Sequence, residues 1–415
     1  MASTPVICGI DIGNTSVKVA IARFGEDGIT PEVIGVGIAP TGSGLRAGEV
    51  VDMKETTDGV RAALAQACQT AGVRVSKAYV SVAGAHVGLQ QSRGTIAVAR
   101  ADGEITASDI ERVLSTAQVV SLPQNREIIH VVPRDFTIDG TERVRDPLGM
   151  KGVRLEADVL LVHGLSRHLK NLAKCVNECG VGVASFVYAP LASSHAVLDR
   201  HQKEFGVAHL DFGGGSATLS IWDQADMIHS VVLPIGSRRI TNDLAILLKT
   251  SLENAERIKV EVGGVNERED RRKRPEMLDL TSYMDEAFLL PRRQLISAID
   301  ARVGEMLEMT TAELKRIGKE GMLPAGVILS GGGSKLAGFA VLVRDSLGLP
   351  VRMAKPVGIA AFDAAMDPSF ATALGLIVWA RTNDGASLAS EGGFVSPDLS
   401  GAFRKVISWL KNFLP

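Results

Sequence analysis

Three glycine turns, two of them led by an aspartate, carry the chemistry that can be read from this chain. In Val207-Ala208-His209-Leu210-Asp211-Phe212-Gly213-Gly214-Gly215-Ser216-Ala217-Thr218-Leu219-Ser220-Ile221-Trp222 an apolar run enters an Asp, three glycines follow, and an alternating segment leaves. This pattern predicts two strands joined by a tight turn. Glycines let backbone N–H groups close around an anion, and the Asp ahead of them can hold a hydrated divalent cation but repels a bare phosphate. The chemistry that satisfies both is a metal-bound nucleotide. One such turn alone is an ordinary hairpin, but a second stands near the start, in Ile10-Asp11-Ile12-Gly13-Asn14-Thr15-Ser16-Val17-Lys18. Asp211 follows Asp11 by 200 residues, one domain's worth, which predicts a duplicated domain whose copies face a shared ligand. The third turn, Leu329-Ser330-Gly331-Gly332-Gly333-Ser334-Lys335, reads as a strand, a glycine turn and a helix start suited to phosphate or to a flat base against backbone.

The elements that must position these turns follow in α/β order. A third strand is expected over 33–38, a helix over 57–71 closed by Gly72, and a strand over 78–82. From 84 to about 160 the texture changes, with a strand at 94–99, a capping box Thr106-Ala107-Ser108-Asp109, and strands at 128–132 and 159–162. This reads as an inserted small domain. Ser166 is expected to cap a helix ending at Gly180, and the apolar run from Phe186 through Leu198 to form a second helix. The second half repeats hairpin, strand (228–233) and helices (238–248, 252–260). A charged loop follows at 263–275, then a long helix opened by Pro291.

The chain has 415 residues, 46% hydrophobic and 22% charged, with a formal net charge of −2, so a general nucleic-acid binder is excluded for want of a basic surface. In residues 263–275 acids interleave with bases and no aromatics accompany them, the pattern of a solvated loop. Cys8, Cys68, Cys175 and Cys179 are too scattered for a disulfide framework. Neither a signal peptide nor 18 uninterrupted apolar residues is present, and a cytosolic protein is expected. Residues 381–400 lose periodicity, as a tether does. The last segment differs: Phe403, Val406, Ile407, Leu410, Phe413 and Leu414 share one helical face with Trp409 beside it, while Arg404, Lys405 and Lys411 occupy the other. A core-docking helix rarely follows a polar tether or carries cationic charge alone, so a membrane-surface anchor is expected, weak unless several chains are linked.

The two Asp-led hairpins and the Leu329-Ser330-Gly331-Gly332-Gly333 turn resemble the actin, sugar kinase and heat-shock chaperone ATPase superfamily. Within it, Asp146-Pro147-Leu148-Gly149-Met150-Lys151-Gly152-Val153-Arg154-Leu155-Glu156, Ile240-Thr241-Asn242-Asp243-Leu244-Ala245 and Ala255-Glu256-Arg257-Ile258-Lys259 resemble the FtsA family of bacterial division proteins over nearly the whole chain. The resemblance implies an α/β, actin-like (ribonuclease H-like) duplicated fold with two halves around a nucleotide cleft. Subdomain IA would take 1–83, 164–204 and 358–380; the inserted IC, 84–163; IIA, 205–236 and 303–357; IIB, 237–302; a linker, 381–400; and the membrane-targeting helix, 401–415. It implies ATP held by Asp11, Gly13, Asn14, Thr15, Lys18, Asp211, Gly213, Gly214, Gly215 and Ser216, with Mg held through water by Asp11 and Asp211. Glu256 and Lys259 would reach ribose and adenine, backed by Gly331, Gly332 and Gly333. Implied partners are the FtsZ C-terminal tail, pairing with Arg292, Arg293 and Arg302, further copies of the chain in a filament, membrane lipids, and later division proteins. The implied location is the cytoplasmic face of the inner membrane. Two departures stand out. Tyr188-Ala189-Pro190-Leu191 offers no carboxylate or amide to align an attacking water, so at most slow Mg-dependent hydrolysis is expected, and Gly236-Ser237 replaces a glycine pair common in the family. Rival readings are a superfamily sugar kinase or other phosphotransferase, and a PilM-type pilus assembly scaffold.

Overall fold

The computed structural model describes residues 6–24, 30–120, 122–265, 276–284 and 287–388. The tail 401–415, with the expected anchor, lies outside them, as does most of the expected tether. The chain begins with an antiparallel hairpin, β1 (Val6–Ile12) and β2 (Ser16–Phe24), in which Asp11 pairs with Lys18. β3 (Pro31–Pro40) extends the sheet, the short β4 (Leu45–Arg46) and β5 (Glu49–Val50) form a separate ribbon, and α1 (Met53–Ala71) packs on the sheet. Asp52 caps α1 by accepting from the Glu55 N–H, and Gly72 ends it in the left-handed conformation, φ 66°. β6 (Lys77–Val82) then lies parallel to β1.

The insertion is a unit of its own: β7 (Gly88–Ala97), α2 (Ala107–Ala117), β8 (Arg126–Ile138), β9 (Glu142–Val144) and β10 (Arg154–Leu165), with sheet order β7-β10-β8-β9. Its core is built by Ile110, Val113, Phe136, Leu155 and Leu161, and α2 carries the expected Thr106/Asp109 capping box. The chain returns through α3 (Ser166–Asn177), β11 (Gly182–Tyr188) and α4 (Ala189–Val197). Here two expectations are corrected. Leu165 is the cap position of α3, and Ser166 is already in the helix, its N–H satisfied by the Asn125 carbonyl instead of a side-chain cap. Phe186 to Tyr188 are the end of a strand parallel to β6, and the helix starts at Ala189 with Pro190 in its first turn, where a fixed φ and a missing N–H cost nothing.

The second half opens with α5 (Arg200–Phe205) and repeats the hairpin as β12 (Val207–Phe212) and β13 (Ala217–Asp223), followed by β14 (Asp226–Leu233). Then come α6 (Ser237–Leu248), α7 (Leu252–Glu261), the ribbon β15 (Met277–Asp279) and β16 (Leu289–Pro291), and α8 (Arg292–Arg316). β17 (Val327–Ser330), α9 (Phe339–Leu347), β18 (Val351–Met353) and α10 (Ala371–Leu388) complete the described chain. The third glycine turn leads into a 3-10 turn, Gly332–Lys335, and the α-helix expected there begins only at Phe339. α10 runs to Leu388, beyond the expected end at 380, with the Thr382 hydroxyl bonded back to the Val378 carbonyl.

The duplication is explicit in the topology. The sheet orders are β3-β2-β1-β6-β11 and β14-β13-β12-β17-β18, in each case a hairpin, a third antiparallel strand and two parallel strands. α4 and α10 lie between the halves, in one buried cluster that joins Leu191, Ala192 and Leu374 of the first half to Val207, Trp222 and Ile328 of the second. The helices approach closely because position 375 is glycine: a Cβ there would lie 2.0 Å from the Ala192 carbonyl oxygen. Gly375→Val is therefore expected to cost about 2–3 kcal/mol through overpacking. Gly304→Ala, on α8 with open space around it, is expected to add about 0.5–1 kcal/mol through helix propensity. Chemical denaturation of the two variants, read against the unchanged chain, gives both signs.

Candidate functional site

The ends of β1 and β12 converge on one cleft of about 500 Å³ between the halves. It is lined by Asp11, Gly13, Asn14, Thr15 and Lys18, by Asp211, Gly213, Gly214, Gly215 and Ser216, by Glu256 and Lys259, and by Gly331, Gly332 and Gly333, the whole set that the sequence assigns to a nucleotide. The two Asp-led turns are closed alike: Gly13 N–H donates to the Ser16 carbonyl at 3.1 Å and Gly213 N–H to the Ser216 carbonyl at 3.0 Å. They also touch. A Cβ at Gly214 would lie 1.7 Å from Thr15 Oγ1, and one at Gly215 2.2 Å from Asn14 Nδ2, so only glycine allows this approach. Behind the first turn Thr41 donates to the Gly13 carbonyl at 2.7 Å, and behind the second the Ser237 N–H donates to the Gly213 carbonyl at 3.0 Å. The departure at Ser237 thus leaves the backbone contact intact, while Gly236 meets the turn so closely that a Cβ would lie 2.3 Å from the Gly214 carbonyl oxygen.

Each aspartate is held by a serine from the adjacent parallel strand. Ser81 Oγ donates to Asp11 Oδ1 at 2.7 Å and Ser330 Oγ to Asp211 Oδ2 at 2.6 Å, equivalent positions in the two copies. In the second copy the chain of bonds continues inward. Ser330 spends its proton on the carboxylate, so His209 Nε2, 2.7 Å away, donates to the serine oxygen. Burial, then the charge of Lys203, pushes the His209 pKa down to about 3, so the ring is neutral and its Nδ1 accepts from Ser194 Oγ at 3.2 Å. Ser194, on α4, in turn accepts from Ser220 at 3.0 Å. One carboxylate in the cleft is thereby tied by a buried polar chain to the helix between the halves.

The carboxylates also feel each other. Burial raises the Asp211 pKa to about 6, with the Ser330 bond and Lys18 opposing and the charge of Asp11 adding to the rise. Asp11 is raised by burial, against Lys18 and the Ser81 bond. Two serine-anchored carboxylates that disfavour each other's charge fit a hydrated divalent cation, which removes the repulsion. Among the described residues no three His, Cys, Asp or Glu side chains group to ligate a metal.

At the other end of the cleft Lys259, 7% exposed, reaches Glu256 Oε2 at 2.7 Å and Thr241 Oγ1 at 3.0 Å. Burial lowers the lysine's pKa and the glutamate opposes the shift. Of the three glycines in the third turn, Gly331 (φ 85°) and Gly333 crowd Phe212, while a Cβ at Gly332 would meet only Ser369 Cβ, at 3.9 Å. Of the arginines expected to meet a peptide, Arg302 forks onto Asp243 and reaches Glu305 at 2.8 Å. Arg292 lies 3.8 Å from Glu276, and Arg293 is exposed at the start of α8. Ser81 and His209 escaped the sequence reading. The first stands in a plain strand; the second is one polar residue in an apolar run whose partners come from two other segments.

The family model described as "SHS2 domain inserted in FTSA" matches residues 84–163, and that described as "Cell division protein FtsA" matches residues 208–375. The chain is 35% identical over 406 residues to the cell division protein FtsA of Pseudomonas aeruginosa, covering 95% of this chain and 94% of the relative. It belongs to the FtsA family of cell division proteins. FtsA of Bacillus subtilis is 35% identical over 92% of this chain and 85% of its own length, and FtsA of Escherichia coli K12 is 28% identical over 98% of each. The solved PilM-PilN type IV pilus biogenesis complex superposes with a TM-score of 0.65 at 17% identity, over 90% of this chain and 98% of that one. MreB5 of Spiroplasma citri bound to ADP superposes with 0.55 at 12%, over 93% and 99%. These structural likenesses establish the actin-like fold.

The raised pKa of Asp211 fixes the sign of a pH effect. Its folded value lies above the ordinary carboxylate value of 3.8, so stability is lost as pH rises from about 4 through about 6. In metal-free buffer Asp211→Asn is expected to match the unchanged chain below about pH 4 and to exceed it by about 1–2 kcal/mol above pH 7, as measured by urea unfolding across pH.

Proposed function

We propose that this chain binds ATP with Mg²⁺ in the cleft and assembles head to tail on the inner face of the cytoplasmic membrane. There it tethers FtsZ and recruits later division proteins. The observation that carries this reading is the meeting of two Asp-led glycine turns in one cleft, in a chain of the FtsA family. Backbone N–H groups of both turns and Lys18 would take the phosphates, Asp11 and Asp211 the hydrated magnesium, and Glu256, Lys259 and the third turn the adenosine. The metal supplies charge neutralisation between phosphates and carboxylates. Nucleotide bridging the halves would favour the closed arrangement, and a filament of such protomers would add many weak membrane contacts into a strong one.

Hydrolysis is the lesser part of this reading. Near the turns the cleft is lined from α4 by Ala189 and Ser193, and its carboxylates there are Asp11 and Asp211, both assigned to magnesium. Water is left without a separate base to orient it. Arg292, Arg293 and Arg302 on α8 are the residues assigned to an acidic FtsZ tail, and Arg293 is exposed at the start of that helix. A pilus scaffold shares the fold with the PilM-PilN structure, at an identity that carries no more than fold. Among the described residues no helix is long and apolar enough to cross a membrane, and the anchor is assigned to residues 401–415.

The full chain with ATP and Mg²⁺ is expected to sediment with vesicles containing anionic lipid and to bring an FtsZ tail peptide with it. Removal of residues 401–415 is expected to abolish sedimentation while nucleotide binding persists. A truncated chain that still sediments with vesicles when ATP is present overturns the anchor, and rapid acceptor-dependent release of ADP overturns the adaptor in favour of a kinase.

A further inference from the structure

The contact between the two turns is a wall with a cavity on each side. Beyond it lies a second pocket of about 480 Å³, and Asn14, Gly214, Gly215 and Ser216 line both. Three arginines point to its chemistry: Arg46 from the first half, on β4, and Arg238 and Arg239 from the second, in the first turn of α6. No Asp or Glu lines it. Other arginines of this chain are forked onto acids, as Arg93 is onto Asp158, Arg100 onto Asp102 and Arg316 onto Glu313. None of the ion pairs of the described residues includes Arg46, Arg238 or Arg239. Of the nearby acids, Asp243 is committed to Arg302 and Glu55 to the N–H and hydroxyl of Ser43, while Glu49, opposite Arg46 in the β4–β5 ribbon, lies 3.2 Å from His168 instead.

All three arginines are exposed, so water screens part of their repulsion, and an anion between them removes what is left. Guanidinium groups in particular match the paired oxygens of a phosphate, and the side-chain amides of Asn14 and Asn242 add neutral donors around the same space. We propose that this outer pocket binds a phosphate-class dianion, inorganic phosphate or a phosphomonoester, bridging Arg46 of one half to Arg238 and Arg239 of the other. The anion site stands on its own lining. Its consequence rests on the reading of the inner cleft: a ligand that straps the halves together on the outer side of the wall holds the inner cleft shut, and nucleotide in the cleft strengthens the outer site by the same factor.

The test uses the full-length chain free of nucleotide, at constant ionic strength set with potassium chloride. Titration calorimetry with inorganic phosphate in one arm and glycerol 3-phosphate in the other is expected to give saturable binding, weaker by about tenfold or more in Arg46→Gln and in Arg239→Gln. The arm that binds more tightly names the source. In parallel, release of a fluorescent ADP analogue is expected to slow several-fold with saturating phosphate in the unchanged chain and not in either variant, whose nucleotide affinity without phosphate is unchanged. Two results overturn the proposal: no saturable phosphate binding by a chain that binds nucleotide, or phosphate binding undiminished in both variants. If phosphate binds and both variants lose it while no nucleotide binds at all, the outer site stands and the reading of the inner cleft fails.

Discussion

Two carboxylates of like charge, carried at the same point of two copies of one hairpin, face a single cleft, and the architecture around them serves to make that arrangement tolerable. Each copy spends a serine of its parallel neighbour strand on its aspartate, and Lys18 on β2 sits opposite Asp11, offsetting both. Glycines keep the second turn free of side chains, so that its backbone can meet the Asn14 and Thr15 side chains of the first where the halves touch. A site built this way is unsatisfied by itself and complementary to something that brings positive charge and phosphate oxygens together.

The second requirement is that the halves keep their relation. α4 and α10 fill the space between them with apolar contact, and Gly375 lets their backbones meet. Polar links cross the same seam: the Tyr188 hydroxyl meets Ser230 at 2.9 Å, and Ser194 meets His209 and Ser220. Buried polar contacts of this kind contribute less to net stability than to specificity, since a displaced arrangement leaves their groups unpaired. The neutral state of His209 matters for that reason, because a charged ring would have no acceptor for its second proton other than serine.

Much of this could be read from the residues. Asp and Gly at equal spacing 200 residues apart carry the duplication, the Thr106/Asp109 box and Gly72 mark helix ends through local chemistry, and the set assigned to nucleotide converges in one cleft. What escaped reading depends on distant parts of the chain. Phe186 to Tyr188 end a parallel strand in which the successive Val187 and Tyr188 are both buried, and such an end shows an apolar run without alternation, which a buried helix also shows. Arg302 looked free because its partner, Asp243, lies on another helix. His209 gains its role only when strands β12 and β17 and helix α4 are assembled.

α10 adds a mechanical consequence. Its first turn, at Thr372, lines the cleft, and its far end leads toward the chain's last segment. Eighteen residues of helix make a shaft about 27 Å long, so a tilt of about 5° at the cleft swings its tip by about 2 Å. The helix is a lever arm with one end in the lining of the cleft, and small changes at Thr372 emerge enlarged at Leu388.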